Sequence, residues 1–250
     1  MKATLCIMSA LLWASAAAAV EIQVQGPAAD QRQELTLAEG SRLDAALGQL
    51  THPEAIYWPA SRITNPEQDR KIQAEQQALI QRLTTLMLTA EQNHEPTLAY
   101  NSRLMLQLVS SLVVAGRLEV KLDPDWVRIR TEANPLLAGH YRLLLAKRDP
   151  RVHLYGLMAS PASVSLLPGQ DVAAYLQGRE FFAGAEQTQV LLCQPDGRVQ
   201  SVPIAYWNKL HREPMAGAAL LVGFADGTLP AEYSDLNLRI AKLIAARTTL

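Results

Sequence analysis

The side chains able to do chemistry are few and scattered along the chain. Five histidines, His52, His94, His140, His153 and His211, form no HExxH pair and no pair at metal-ligand spacing, so the sequence offers no metal centre. A glycine-rich phosphate loop and a GxSxG nucleophile turn are both missing. Asp123 and Asp125 flank Pro124. Two carboxylates so placed could act as acid and base on a glycan with Arg117, or be ordinary turn residues. Cys193 lies in the apolar run VLLC without a His or Cys partner and reads as buried filler. The chain is expected to have no catalytic residues and no cofactor.

Polar and aromatic residues at the junctions between elements are the better candidates for binding. Arg117 follows Gly116, and its planar fork could donate to a carboxylate or a sugar hydroxyl; its other reading is a cap on the preceding helix. Tyr57 and Trp58 in one half, and Tyr206, Trp207 and Asn208 in the other, could present an aromatic face to a sugar or a protein, or pack as core at a strand end.

The elements that must position these residues occur twice. Residues 35–47 read LTLAEGSRLDAAL and residues 164–176 read VSLLPGQDVAAYL, each a strand-like stretch that meets a glycine, Gly40 or Gly169, before a short apolar helix. A further alternating run precedes each copy, Val20–Gly26 and Val152–Gly156. Each copy is expected to be followed by a hairpin with a Pro-Asp turn, Val120–Ile129 in the first and Leu191–Gln200 in the second.

Between the first copy and its hairpin the spacing becomes helical. Asn65, Pro66 and Gln68 read as cap, first helical position and capping-box partner, and Ile72, Leu79, Leu83, Leu86, Met87 and Ala90 fall on one face. A second helix is expected from Pro96 to Gly116, with Leu98, Met105, Leu108, Val109 and Leu112 as its stripe. The two should cover one another and the neighbouring sheet, with Glu67, Asp69, Arg70 and Lys71 as solvated surface. At the far end Tyr233, Leu236, Ile240, Leu243 and Ile244 share one face of an amphipathic helix. That face could dock on the last sheet or engage a partner.

The N-terminus reads as a signal peptide over residues 1–19: Lys2, an apolar stretch from Leu5 to Trp13, and small residues at Ala17 and Ala19. Cleavage removes Cys6 and Lys2, leaving Cys193 as the one thiol and 22 of the 23 basic residues against 24 acidic ones, a formal charge of −2. That balance gives no field for nucleic acid or an anionic membrane. No other apolar run reaches the ~18 residues of a membrane span, and at 49% hydrophobic and 19% charged residues the chain can bury a real core.

The runs GRLEVKLDPDWVR (116–128), NPLLAGHY (134–141), WNKLHREP (207–214) and LPAEYSDLN (229–237), in this order, resemble the GfcC family of capsule and exopolysaccharide biosynthesis proteins. The resemblance covers nearly all of the mature chain. It implies an α+β fold of two tandem β-grasp domains, residues 20–150 with a helical hairpin inserted at 65–116 and residues 151–228, followed by an amphipathic helix at 229–250. It also implies kinship with the ligand-binding β-grasp modules of outer-membrane polysaccharide export channels. Arg117 coincides with an Arg in a surface cleft of that family. The loop after Gly156 reads LMASPAS where such modules keep a Pro-Gly turn, which puts a generic ligand role for the second domain in doubt. The implied protein is a soluble periplasmic, non-enzymatic accessory, a monomer or weak oligomer, that binds polysaccharide or an export component. The other reading is a periplasmic glycan-modifying enzyme using Asp123, Asp125 and Arg117.

Overall fold

The computed structural model describes residues 19–28, 31–51 and 53–248; the expected signal peptide, apart from its last residue, and His52 lie outside them. The described residues form a mixed α+β structure with two sheets and six α-helices. In the first sheet, β1 (Val20–Gln25) pairs antiparallel with β2 (Arg32–Leu37) and parallel with a later strand, β4 (His140–Leu144), which also pairs antiparallel with β3 (Arg62–Thr64). Alternation in β1 turns Val20, Ile22 and Val24 inward and leaves Glu21 and Gln23 in water. Leu35 and Leu37 of β2 and Leu43, Ala46 and Leu47 of α1 (Leu43–Leu47) close the same core.

The second sheet repeats this plan. Strand β5 (Arg151–Gly156) pairs antiparallel with β6 (Ala162–Ser165) and parallel with β9 (Ala219–Val222), and β9 pairs antiparallel with β7 (Gln189–Cys193). One strand has no counterpart in the first sheet: β8 (Val199–Pro203), which forms the expected hairpin with β7. Gly40 and Gly169, each at positive φ ahead of its helix (α1, and α5 at Val172–Leu176), show that the repeat extends to the turns. At the end of β5, Gly156 has φ +102°, and a Cβ there would collide with the Val222 carbonyl.

The hairpin expected at Val120–Ile129 does not form. Asp123 is instead an N-cap: its carboxylate accepts from the Asp125 and Trp126 N–H groups, Pro124 takes the first helical position, and the chain runs on as α4 (Pro124–Ile129). Asp-Pro can open a turn or a helix, and here the missing proline N–H falls where a helix has no use for it.

Helix α2 (Pro66–Gln92) begins as expected, with the Asn65 side chain accepting from Gln68 N–H at 2.9 Å, and antiparallel to it runs α3 (Pro96–Ser111). Helix α3 stops five residues short of Gly116. The segment that follows is extended and pairs with the chain end: Ala115 N–H donates to Ala246 and Thr248 N–H donates to Val113. Leu79, Leu83 and Leu86 of α2 and Met105 and Val109 of α3 are buried in the core of the second sheet. The insertion in the first unit thus covers the second, and each fully buried Leu contributes about 1.5–3 kcal/mol there. The last helix, α6 (Leu236–Ala245), lies on β7, β8 and β9 and touches α2.

Asp69 is not solvated surface. Its carboxylate accepts from Gly116 N–H at 2.8 Å, from the Thr64 hydroxyl, and from Arg142 at 2.6 Å, and so holds α2 to β3 and β4.

Candidate functional site: the seam between the two sheets

Arg117, from the segment after α3, reaches across to the second sheet. Its Nη1 donates to the Ser61 carbonyl beside β3 at 3.0 Å and its Nη2 to the Pro195 carbonyl in the β7–β8 turn at 2.7 Å. Gly197, with φ +95°, lets that turn approach: a Cβ there would lie 3.3 Å from Arg117 Cδ. Arg117 does not cap α3. It ties the two halves together, and its Nε is buried without a partner.

Two further arginines, which no sequence pattern singles out, occupy the same seam. Arg62 of β3 donates to the carbonyls of Ala246 (2.7 Å) and Arg247 (2.8 Å) just beyond α6, and Arg247 donates to Ile244 (2.7 Å) and Gly217 (2.6 Å). Burial, with Arg117 and Arg247 close by, lowers the Arg62 guanidinium to about 9, so it stays charged at neutral pH. Burial also lowers Arg117 and Arg247. Among the described residues no carboxylate forms an ion pair with any of the three. Carbonyl oxygens and the negative end of α6 take that place. The only hints in the sequence are an Arg inside the apolar-flanked strand at 62–64 and another directly after the apolar face of α6.

Tyr57 joins this seam. Burial raises its phenol, which is set against Arg148 just ahead of β5 and against Asp196 and the backbone of Ala216 in the second half. Trp58 instead packs half-buried on the core of the first sheet. Trp207 is 77% exposed and Tyr206 fully exposed, and with exposed Asn208 they lie on the loop after β8. Asn208 N–H donates to Ala205 within that loop. The seam therefore unites Arg117 and Tyr57, while Trp207 and Asn208 form a separate exposed platform. Its chemistry suits a pyranose face: an open aromatic ring flanked by an amide.

The proposed partner face of the last helix is occupied by the chain itself. Leu236, Ile240, Leu243 and Ile244 have no accessible surface, and half-buried Tyr233 lies under Arg82 at 5.3 Å. Arg82 also pairs with Asp235 at 2.9 Å, and Arg239 pairs with Glu75 at 2.6 Å, so α2 holds α6 from outside as well. Leu238 is the apolar residue that α6 leaves exposed.

Asp123, as a cap, and Asp125, whose side chain is 94% exposed beside Arg128, make no contact with Arg117. Cys193 is buried, and burial pushes its thiol up to about 12. It is inert filler, as the sequence suggests. No group of described residues is placed to hold a metal ion, and no described helix is long and apolar enough to cross a membrane.

The family models described as capsule biosynthesis GfcC, N-terminal, and capsule biosynthesis GfcC C-terminal match residues 16–148 and 160–249. A protein of Escherichia coli (strain K12), described as uncharacterized protein YjbG, is 35% identical over 191 residues, which is 76% of each chain.

Proposed function

The chain belongs to the GfcC capsule biosynthesis family, and on that premise we propose that it is a periplasmic accessory protein of capsule or exopolysaccharide assembly or export. It acts by binding glycan or an outer-membrane export component, not by cutting glycosidic bonds. The observation that carries this reading is the match of both family models, one on each sheet unit. The repeated topology, two antiparallel strands, a helix, and a later strand parallel to the first, supports reading each unit as a β-grasp domain, residues 20–150 and 151–228. The chain is read as exported by a cleaved signal peptide over residues 1–19 and as a soluble monomer or weak oligomer.

Arg117 and Tyr57 hold the two domains in one relation, and the Tyr206–Asn208 loop is the surface on which a sugar or partner would settle. Asp123 serves α4, which disfavours the acid-pair mechanism. Deleting the gene should lower the amount, length or export of surface polysaccharide, measured by gel and immunoblot of cell-surface fractions. Unchanged polysaccharide on all three counts would sink the proposal.

A further inference from the structure

Three polar side chains, two on the second sheet and one just ahead of it, stand in hydrogen-bonded line. His153 of β5 and Ser163 of β6 are cross-strand partners, and the Ser163 hydroxyl lies 2.8 Å from His153 Nδ1. On the other side of the ring, His153 Nε2 lies 2.8 Å from Asp149 Oδ2. Asp149 is itself held by Arg151, whose Nε lies 2.7 Å from Oδ1. An ionised carboxylate only accepts, so Nε2 carries the ring proton, and bare Nδ1 is left to accept from the Ser163 hydroxyl. We propose that Ser163, His153 and Asp149 form a nucleophilic site for small carboxylic esters, such as an O-acyl group carried by a sugar.

The backbone supplies a further part. Leu166 N–H donates to the Pro150 carbonyl and His153 N–H donates to Ala218 on the β9 side. Residues two apart repeat this pattern, so His153 and Ser163 form a non-hydrogen-bonded pair of the β5–β6 ladder. The sheet order places β6 at an edge. The Ser163 N–H therefore points out from that edge, beside its own hydroxyl, where it can donate to the oxyanion that forms when Oγ attacks. His153 is buried and Ser163 is exposed, as a protected base and an accessible nucleophile require. Burial lowers the imidazole, and, against the opposing effect of burial, contacts with Arg151 and His153 hold the Asp149 carboxyl below its usual range.

In the reaction, Ser163 Oγ bonds to the acyl carbon while its proton passes to His153 Nδ1. The carbon–oxygen bond to the sugar breaks, and the sugar hydroxyl leaves with that proton. Water then attacks the acyl-serine by the same route, releasing the carboxylic acid and restoring Ser163. Asp149 is a positioning residue that fixes the tautomer. The open edge suits an ester borne on the outside of a larger chain. This activity goes beyond the binding role and does not depend on it.

The test uses the purified chain with an alkyl fluorophosphonate and with p-nitrophenyl acetate. We expect one phosphonyl group on the Ser163 peptide by mass spectrometry, and acetate release that falls at least about a hundredfold in Ser163→Ala. The release should hold its rate to below the usual histidine range, because burial lowers His153; the charged groups facing the ring are Asp149, Arg151 and Arg247, with Tyr155 stacked at 6.3 Å. Asp149→Asn should lower kcat with KM unchanged. Ser163 is exposed, so Ser163→Ala keeps the fold even where a His153 variant does not. No label at Ser163, or release by Ser163→Ala equal to that of the parent, overturns the proposal. Neither readout involves surface polysaccharide, so this site and the export role stand or fall separately.

Discussion

The two sheets share a plan and differ in what completes them. Strands β1, β2, β4 and β3 correspond to β5, β6, β9 and β7 in order and direction, yet the second sheet adds β8 while the first follows β3 at once with a 27-residue helix. That helix and α3 do not roof the sheet that carries them. Leu79, Leu83 and Leu86 of α2 and Met105 and Val109 of α3 sit with Leu154, Leu192 and Leu220 of the other sheet and with Ile240 and Ile244 of α6. One half has thus lent its largest apolar surface to the other, keeping α1, α4 and the segments around Leu122 and Leu137 to close its own core. Connectivity and packing point to different partners, so the halves are bound together more tightly than a linker would bind them.

The largest effect should come from Leu83→Ala in α2, with ~2–5 kcal/mol of stability lost. If α2 belongs to the second core, native-state hydrogen exchange should show faster opening at Leu154 and Leu220, and little change at Ile22 or Val24 of β1. Equal loss in both sheets would mean that the halves unfold as one unit and that the contrast between them is only geometric.

Arg62→Met tests the seam itself. Arg62 is the described donor to the Arg247 carbonyl, so its loss leaves a buried acceptor unpaired and removes a clamp on the end of α6. The expected cost is about 1–3 kcal/mol, read as a lower denaturant midpoint with the slope unchanged. Because three guanidiniums crowd the seam, removing one also relieves repulsion. A gain in stability would show that this relief outweighs the lost hydrogen bonds.

Much of this is legible locally and little of it globally. The paired units, the Asn65 cap, the β7–β8 hairpin and the apolar face of α6 follow from patterns within a few residues. Val120–Ile129 misleads because its last six residues, Pro124–Ile129, fit a two-residue period and a helical one equally well, and Asp-Pro opens either element. An aliphatic stripe says that α2 is covered but carries no address, so its partner sheet cannot be read from it. The candidate-site residues divide in the same way. Arg117 and the aromatic pairs stand out by type, whereas Arg62 with Arg247, and His153 with Ser163, meet only through strand register and chain ends far apart in sequence.

Mild acid should separate the halves next. His153 and Asp149 both titrate below their ordinary values of 6.5 and 3.8 in the folded chain, so in the intervening windows the unfolded chain binds more protons. Their contribution is complete above about pH 6.5 and is lost as the pH falls through the folded values. Protection factors at β5 and β9 amides, which allow for slower intrinsic exchange in acid, should fall on acidification before those at β1, and His153→Gln should flatten the dependence. An unchanged slope in that variant would assign the acid sensitivity elsewhere.

The smallest effect sits where the first half departs most from the second. Asp123 opens α4, the helix that stands in place of a hairpin strand, and it does so through one carboxylate oxygen accepting from two N–H groups. Asn offers an equivalent acceptor, so Asp123→Asn should change stability by only a few tenths of a kcal/mol, while Asp123→Ala should cost about 1 kcal/mol. A catalytic carboxylate would reverse the ranking in function: Asn would be as damaging as Ala, because neither can transfer the proton. The cap therefore predicts that Asp123→Asn restores surface polysaccharide fully in a deletion strain and that Asp123→Ala does so less well, in step with its melting temperature. Loss of polysaccharide in the Asn variant at unchanged melting temperature would return Asp123 to the chemistry that its position in α4 argues against.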